Sequence, residues 1–127
     1  MYWSNLDSGS DSAPHLLLAK RGGVDGTAQT PAGVFTQPCV TQHVLLALEE
    51  AIEKGVIKEQ DVTQEGLENF LSRYGRRFYK LPEAKNRIVL ERKGEKVPQS
   101  IKSEDGATEV ALSRGGDGVF SLRWKTA

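Results

Sequence analysis

From Pro38 to Lys54 the chain alternates apolar and polar residues at intervals of three and four. Val44, Leu45, Leu48, Ala51 and Ile52 fall on one stripe, with Glu49, Glu50, Glu53 and Lys54 opposite, which predicts an amphipathic helix. Gly55 follows as a natural helix stop. A second helix is signed at its start by Thr63, a capping residue, with Val62 placed to staple onto Leu67. Leu67, Phe70, Leu71 and Tyr74 form its apolar stripe, and Gly75 is the expected end. Beyond Pro82 the period drops to two. Ile88 to Arg92 reads as a strand, followed by a turn at Lys93-Gly94-Glu95 and then Val97-Pro98. Val110 and Leu112 alternate with polar residues, as do Phe120, Leu122 and Trp124, and the turn-rich Arg114-Gly115-Gly116-Asp117-Gly118 between them predicts a terminal hairpin. Residues 1–35 are loop-like, and Leu16-Leu17-Leu18 is their apolar run. So long a stretch without regular structure argues against a self-contained fold. The predicted order is loop, helix, helix, small β-region, with no internal repeat.

Composition changes this picture little. The 127 residues suffice for one modest core, and 38% hydrophobic with 27% charged residues suits a globular chain on the polar side. Lysine plus arginine equals aspartate plus glutamate, 17 against 17, so there is no electrostatic footprint for nucleic acid or an anionic membrane. The basic groups Arg73-Arg76-Arg77-Lys80 and Arg92-Lys93 read as a solvated helix end and a strand end. The segment Met1 to Asp7 lacks the basic and apolar regions of a signal peptide, and no apolar run is long enough to span a bilayer, so a cytoplasmic location is expected.

The groups able to do chemistry are few: Asp11, His15, Cys39, His43 and scattered carboxylates. Cys39 is the single cysteine, which excludes an intramolecular disulfide. A small buried thiol is the expected role; a nucleophile would need His43, one helical turn on, as its base. His43 itself stands beside Val44 on the first helix, where a packed or surface histidine is the ordinary reading. Asp11 and His15 lie four apart across Pro14, which keeps Ala13 out of the helical region. Such a loop can present a carboxylate and an imidazole to one space. Spacing alone equally fits an Asp-Ser turn with an incidental histidine.

The wider string carries more. Gly9-Ser10-Asp11-Ser12-Ala13-Pro14-His15, then Ala32-Gly33-Val34-Phe35-Thr36-Gln37-Pro38, then Leu67-Glu68-Asn69-Phe70, then Gly75-Arg76-Arg77-Phe78-Tyr79-Lys80-Leu81-Pro82 resembles, in order and spacing, the C-terminal part of dihydroorotases of the monofunctional fungal and bacterial type. The resemblance implies an α/β chain: the C-terminal fragment of a (β/α)8 TIM-barrel amidohydrolase, with two amphipathic helices and a small C-terminal β-region. Residues 1–82 would then end the barrel and residues 83–127 would form a β-extension. It further implies interconversion of carbamoyl-aspartate and dihydroorotate in pyrimidine biosynthesis, with two zinc ions as cofactors. By position, Asp11 matches the aspartate that ligates a metal and moves the proton, and His15 matches the histidine that binds the substrate carboxylate. Ala32 and Gly33 match the small pair whose backbone touches substrate, a placement on loops beyond strand ends that suits a barrel enzyme. Trp3 to Ser8, polar where the family's last strand is apolar, would retain that strand's end alone.

Two histidines in total, with no His-x-His pair, leave the ligand set of a dinuclear centre incomplete. Three readings follow. In the first the chain is an enzyme fragment that is inactive by itself, acting on the small-molecule substrate only with the rest of the barrel. In the second it is a non-catalytic remnant whose helical stripes dock onto a second copy or an intact homologue. In the third it has no function.

Overall fold

The chain is described here by a computed structural model covering residues 9–126. The expectations placed on Met1 to Asp7 and on the polar stretch Trp3 to Ser8 lie outside the described residues. Two compact units are present, and each is built from pieces distant in sequence. One draws on Thr41–Glu91 and the chain from Phe120 onward; the other comprises Ser10–Val40 and Arg92–Val119.

The first unit holds the two amphipathic segments. Helix α2 spans Val40–Glu53 and is preceded by a 3-10 turn at Gln37–Cys39, with Pro38 near its start, where the lost N–H has no helical partner to forfeit. The predicted stripe is half-buried, and the fully buried residue of the helix is Leu46, which the stripe did not include. Gly55 ends the helix as expected. Its φ is +68°, its N–H donates to the Ile52 carbonyl at 2.9 Å, and Val56 N–H donates to Ala51 at 2.8 Å, the paired bonds of a Schellman cap.

The second helical segment is longer and less regular than its pattern. Thr63 caps it, its hydroxyl accepting from the Gly66 N–H at 3.0 Å. The segment runs as α3 (Gln64–Glu68), a π-turn at Asn69–Arg73 and α4 (Tyr74–Phe78). Gly75 therefore does not end it. The stop is Lys80, at φ +54°, with Lys80 N–H on the Arg77 carbonyl (3.2 Å) and Leu81 N–H on Arg76 (2.8 Å). Pro82 just beyond cannot continue a helix, so the proline decides the boundary that the glycine was expected to set. Strand β1 (Arg87–Glu91) pairs antiparallel with β4 (Ser121–Lys125), Ile88 opposite Trp124 and Leu90 opposite Leu122.

The second unit corrects two expectations. Leu17–Lys20 forms a short helix, α1, inside the stretch read as loop. The predicted terminal hairpin is absent among the described residues. Strand β3 (Glu109–Ala111) pairs instead with β2 (Ser100–Lys102), in register Ser100 with Ala111 and Lys102 with Glu109. The Arg114–Gly118 turn does form: Asp117 N–H donates to the Arg114 carbonyl (3.0 Å) and the Arg114 guanidinium meets the Asp117 carboxylate (2.8 Å). It returns the chain onto residues 95–97, with Val97 N–H on Asp117 and Val119 N–H on Glu95, both at 2.9 Å. A turn signal states where a chain reverses, not which strand receives it. Cys39, Val97, Leu112 and Val119 are buried in this unit. No described helix is long and apolar enough to cross a membrane.

Candidate functional site

The second unit brings together two segments that are about twenty residues apart in sequence, and their joining is dense in hydrogen bonds. Ala13 N–H donates to the Val34 carbonyl at 2.9 Å. The Ser12 and Thr36 hydroxyls lie 2.9 Å apart, Thr36 N–H donates to Ser12 Oγ (3.2 Å), and the Thr36 hydroxyl reaches the Ser10 carbonyl (3.3 Å). If Thr36 donates to Ser10, the Ser12 hydroxyl donates to Thr36, and both hydroxyl protons are used. The Ser-x-x-His segment is thereby laid alongside Gly33–Thr36. Neither Ser12 nor Thr36 was singled out from sequence, because serine and threonine in a loop carry no periodic signal.

His15 is half-buried, and its Nε2 lies 2.7 Å from the Ala32 carbonyl oxygen, so that nitrogen carries the proton and donates it. Gly33 follows at φ +88°, and a Cβ there would stand 2.7 Å from the Ala13 methyl and 3.7 Å from His15 Nε2. A side chain at residue 33 would thus enter the space beside the imidazole; glycine leaves it open and supplies the left-handed turn. His15, Ala32 and Gly33 form one neighbourhood, with Ala32 and Gly33 exposed. Asp11 is exposed too, with φ +41°, a backbone region unusual for a residue with a side chain although aspartate tolerates it better than most.

The unit is tied to its β-region at the same point. Ala111 N–H donates to the His15 carbonyl (3.4 Å), Leu16 bridges to Val110, and Ser113 N–H donates to Phe35 (3.0 Å). Lys20, the last residue of α1, donates from Nζ to the Pro31 carbonyl (2.6 Å) and to that of Gly33. Sequence reasoning missed this lysine; nothing in its spacing separates it from any solvated cation.

The other two candidates stand apart from this neighbourhood in role. Cys39 is buried, and burial pushes its thiol up from the usual range, with the Glu95 carboxylate adding to the effect. Both causes oppose a thiolate, which leaves Cys39 a packing residue. His43 is half-buried on α2 and belongs to the other unit. Among the described residues no three His, Cys, Asp or Glu side chains gather in a way that could hold a metal. The donors present therefore do not by themselves fit a zinc centre.

No family model matches the chain. It is similar to curated dihydroorotases: 33% identical over 116 residues to that of Neisseria gonorrhoeae, covering 91% of this chain and 29% of the relative. To a dihydroorotase of Neisseria meningitidis it is 35% identical over 109 residues, covering 86% of this chain and 27% of the relative. The fold is similar to the crystal structure of dihydroorotase from Saccharomyces cerevisiae in complex with 5-fluoroorotic acid, with a TM-score of 0.69 and 27% identity, covering 95% of this chain and 30% of that one. It is also similar to dihydroorotase from Campylobacter jejuni, with a TM-score of 0.60 and 26% identity over 97% of this chain and 30% of that one. Over nearly its whole length, in sequence and in fold, the chain is thus related to dihydroorotase, of which it spans about 30%.

Proposed function

We propose that the chain contributes the carboxylate-binding side of a dihydroorotase site, in an enzyme that interconverts carbamoyl-aspartate and dihydroorotate in pyrimidine biosynthesis. The observation that carries this reading is the His15 ring held by the Ala32 carbonyl at 2.7 Å beside a glycine that keeps the adjacent space clear. In ring opening, water attacks the cyclic amide carbonyl, the new C–O bond forms, the C–N bond breaks, and a proton moves from the water to the departing nitrogen. Asp11 is the group we assign to that proton, as base and then acid. His15 receives the substrate carboxylate, with Ala32 and Gly33 offering backbone at close range. Residues 1–82 are assigned to the end of the barrel and 83–127 to a β-extension, in a cytoplasmic enzyme. Asp11 would be the one ligand this chain brings to a zinc centre, and the remaining donors would come from outside the described residues.

The test is a titration of the purified chain with dihydroorotate, followed by NMR shifts at His15, Ala32 and Gly33, together with bound-zinc analysis and a carbamoyl-aspartate cyclisation assay. We expect shifts at those three residues, lost in His15→Ala, with neither stoichiometric zinc nor turnover by the chain alone. Shifts confined to other residues would sink the assignment. The competing reading, a non-catalytic module that docks onto a second copy or an intact homologue, predicts a stable complex instead and no response to dihydroorotate.

A further inference from the structure

We infer that Lys20 is the positioning residue of this site, fixing the main chain that holds His15. The inference rests on the reading of His15, Ala32 and Gly33 as substrate contacts, and its observation is separate: one ammonium donates to the Pro31 carbonyl at 2.6 Å and to the Gly33 carbonyl. Those two carbonyls flank Ala32, whose own carbonyl takes the His15 ring proton.

The geometry gives Lys20 a task that no neighbouring side chain performs in the same place. Pro31 lacks an N–H, Ala32 has no functional side chain, and Gly33 at φ +88° has the least backbone restraint of any residue type. Left alone, this strap would sample many orientations of the Ala32 carbonyl. Lys20 ends α1, whose N-terminal neighbour Leu16 bridges to Val110 of β3, so the lysine reaches the strap from a base tied to the sheet. Its compact ammonium, with three rotatable N–H donors, can bring two carbonyl oxygens to one point; without it, two converging carbonyl dipoles would repel. Turning the strap would swing the Ala32 carbonyl off the imidazole, freeing the ring to rotate and to change which nitrogen bears the proton. Lys20 thus touches no reacting atom and acts through Ala32.

The experiment uses the full chain with labelled histidine and compares wild type, Lys20→Met and Lys20→Arg. Two readouts are taken: water exchange of the His15 Nε2–H proton, and affinity for dihydroorotate. We expect Lys20→Met to speed exchange and weaken binding by about tenfold, the scale of a charge-assisted hydrogen bond. Lys20→Arg, whose fork also reaches two carbonyls, should restore both, while the β2–β3 amide signals stay at their wild-type positions. Wild-type exchange in folded Lys20→Met would overturn the inference. Should Lys20→Met not fold, Lys20→Gln is judged by the same exchange rate; loss of the fold in both marks Lys20 as structural and also overturns it. If the wild-type chain ignores dihydroorotate while the ring proton still follows Lys20, the substrate assignment fails and the positioning role stands.

Discussion

Gly33 shows how a single missing side chain shapes the candidate site. An added Cβ meets two obstacles there, a left-handed φ of +88° and the Ala13 methyl at 2.7 Å. Gly55 shares the first obstacle, at φ +68°, and has nothing within 4 Å. Gly33→Ala should therefore destabilise the chain by about 1–3 kcal/mol. Gly55→Ala should cost about 1 kcal/mol, which leaves the difference as the price of crowding. Urea denaturation of both variants checks this, and equal losses would remove the crowding argument. At this scale the sequence was informative where chemistry is intrinsic to the residue: a lone cysteine next to a helix start was read as a buried thiol, and Cys39 is one. Lys20 was illegible because its role depends on two carbonyls thirteen residues away or fewer, and carbonyls are the same at every position.

Helices were read from their period, and their ends with uneven success. Thr63 was legible as a cap because a threonine hydroxyl before an apolar-periodic run satisfies an N–H that the helix leaves open. Its bond to Gly66 N–H at 3.0 Å predicts that Thr63→Ala loses about 1 kcal/mol, measurable as a lowered thermal midpoint, and that Thr63→Ser loses little. A Thr63→Ala variant as stable as wild type would show that the cap is redundant with packing. Glu68 belongs to the same element. The Gln64 amide, followed by the nearby Arg73 and Arg87 guanidinium groups, holds its carboxyl below the usual range. Arg73 meets it at 2.6 Å across the π-turn, a local rearrangement that 3.6-residue periodicity does not encode. Strand existence was legible from alternation, whereas strand pairing was not. Val110 and Phe120 flank one turn, yet the strands they lead into or belong to pair with β2 and β1. Local turn chemistry is the same for every topology that shares the reversal, and the choice among partners rests on nonlocal packing.

For the molecule as a whole, zero formal charge and a calculated pI near 6.7 combine with exposed apolar side chains that include Val56, Phe78, Tyr79, Leu81 and Trp124. Phe78 and Tyr79 pack edge to face, 4.9 Å between ring centres, without covering one another from solvent. A chain of this kind has little repulsion to oppose association near its isoelectric point. Solubility should pass through a minimum near pH 6.7 and rise as the chain gains net negative charge above it, which light scattering across a pH series measures. Constant solubility across that series would show that the apolar surface does not drive association.

By itself the sequence determined the kinds of elements, the identity of the candidate residues and the kinship with dihydroorotase, because periodicity and ordered motif blocks are properties of the chain written out in a line. Only the tertiary structure decided that Ser10–Val40 and Arg92–Val119 form one unit, that Ala13 lies against Val34, and that the His15 ring rests on the Ala32 carbonyl with Lys20 beneath the same strap. Those contacts are made by backbone groups common to every residue, so the pairing is selected by which arrangement satisfies the most of them at once.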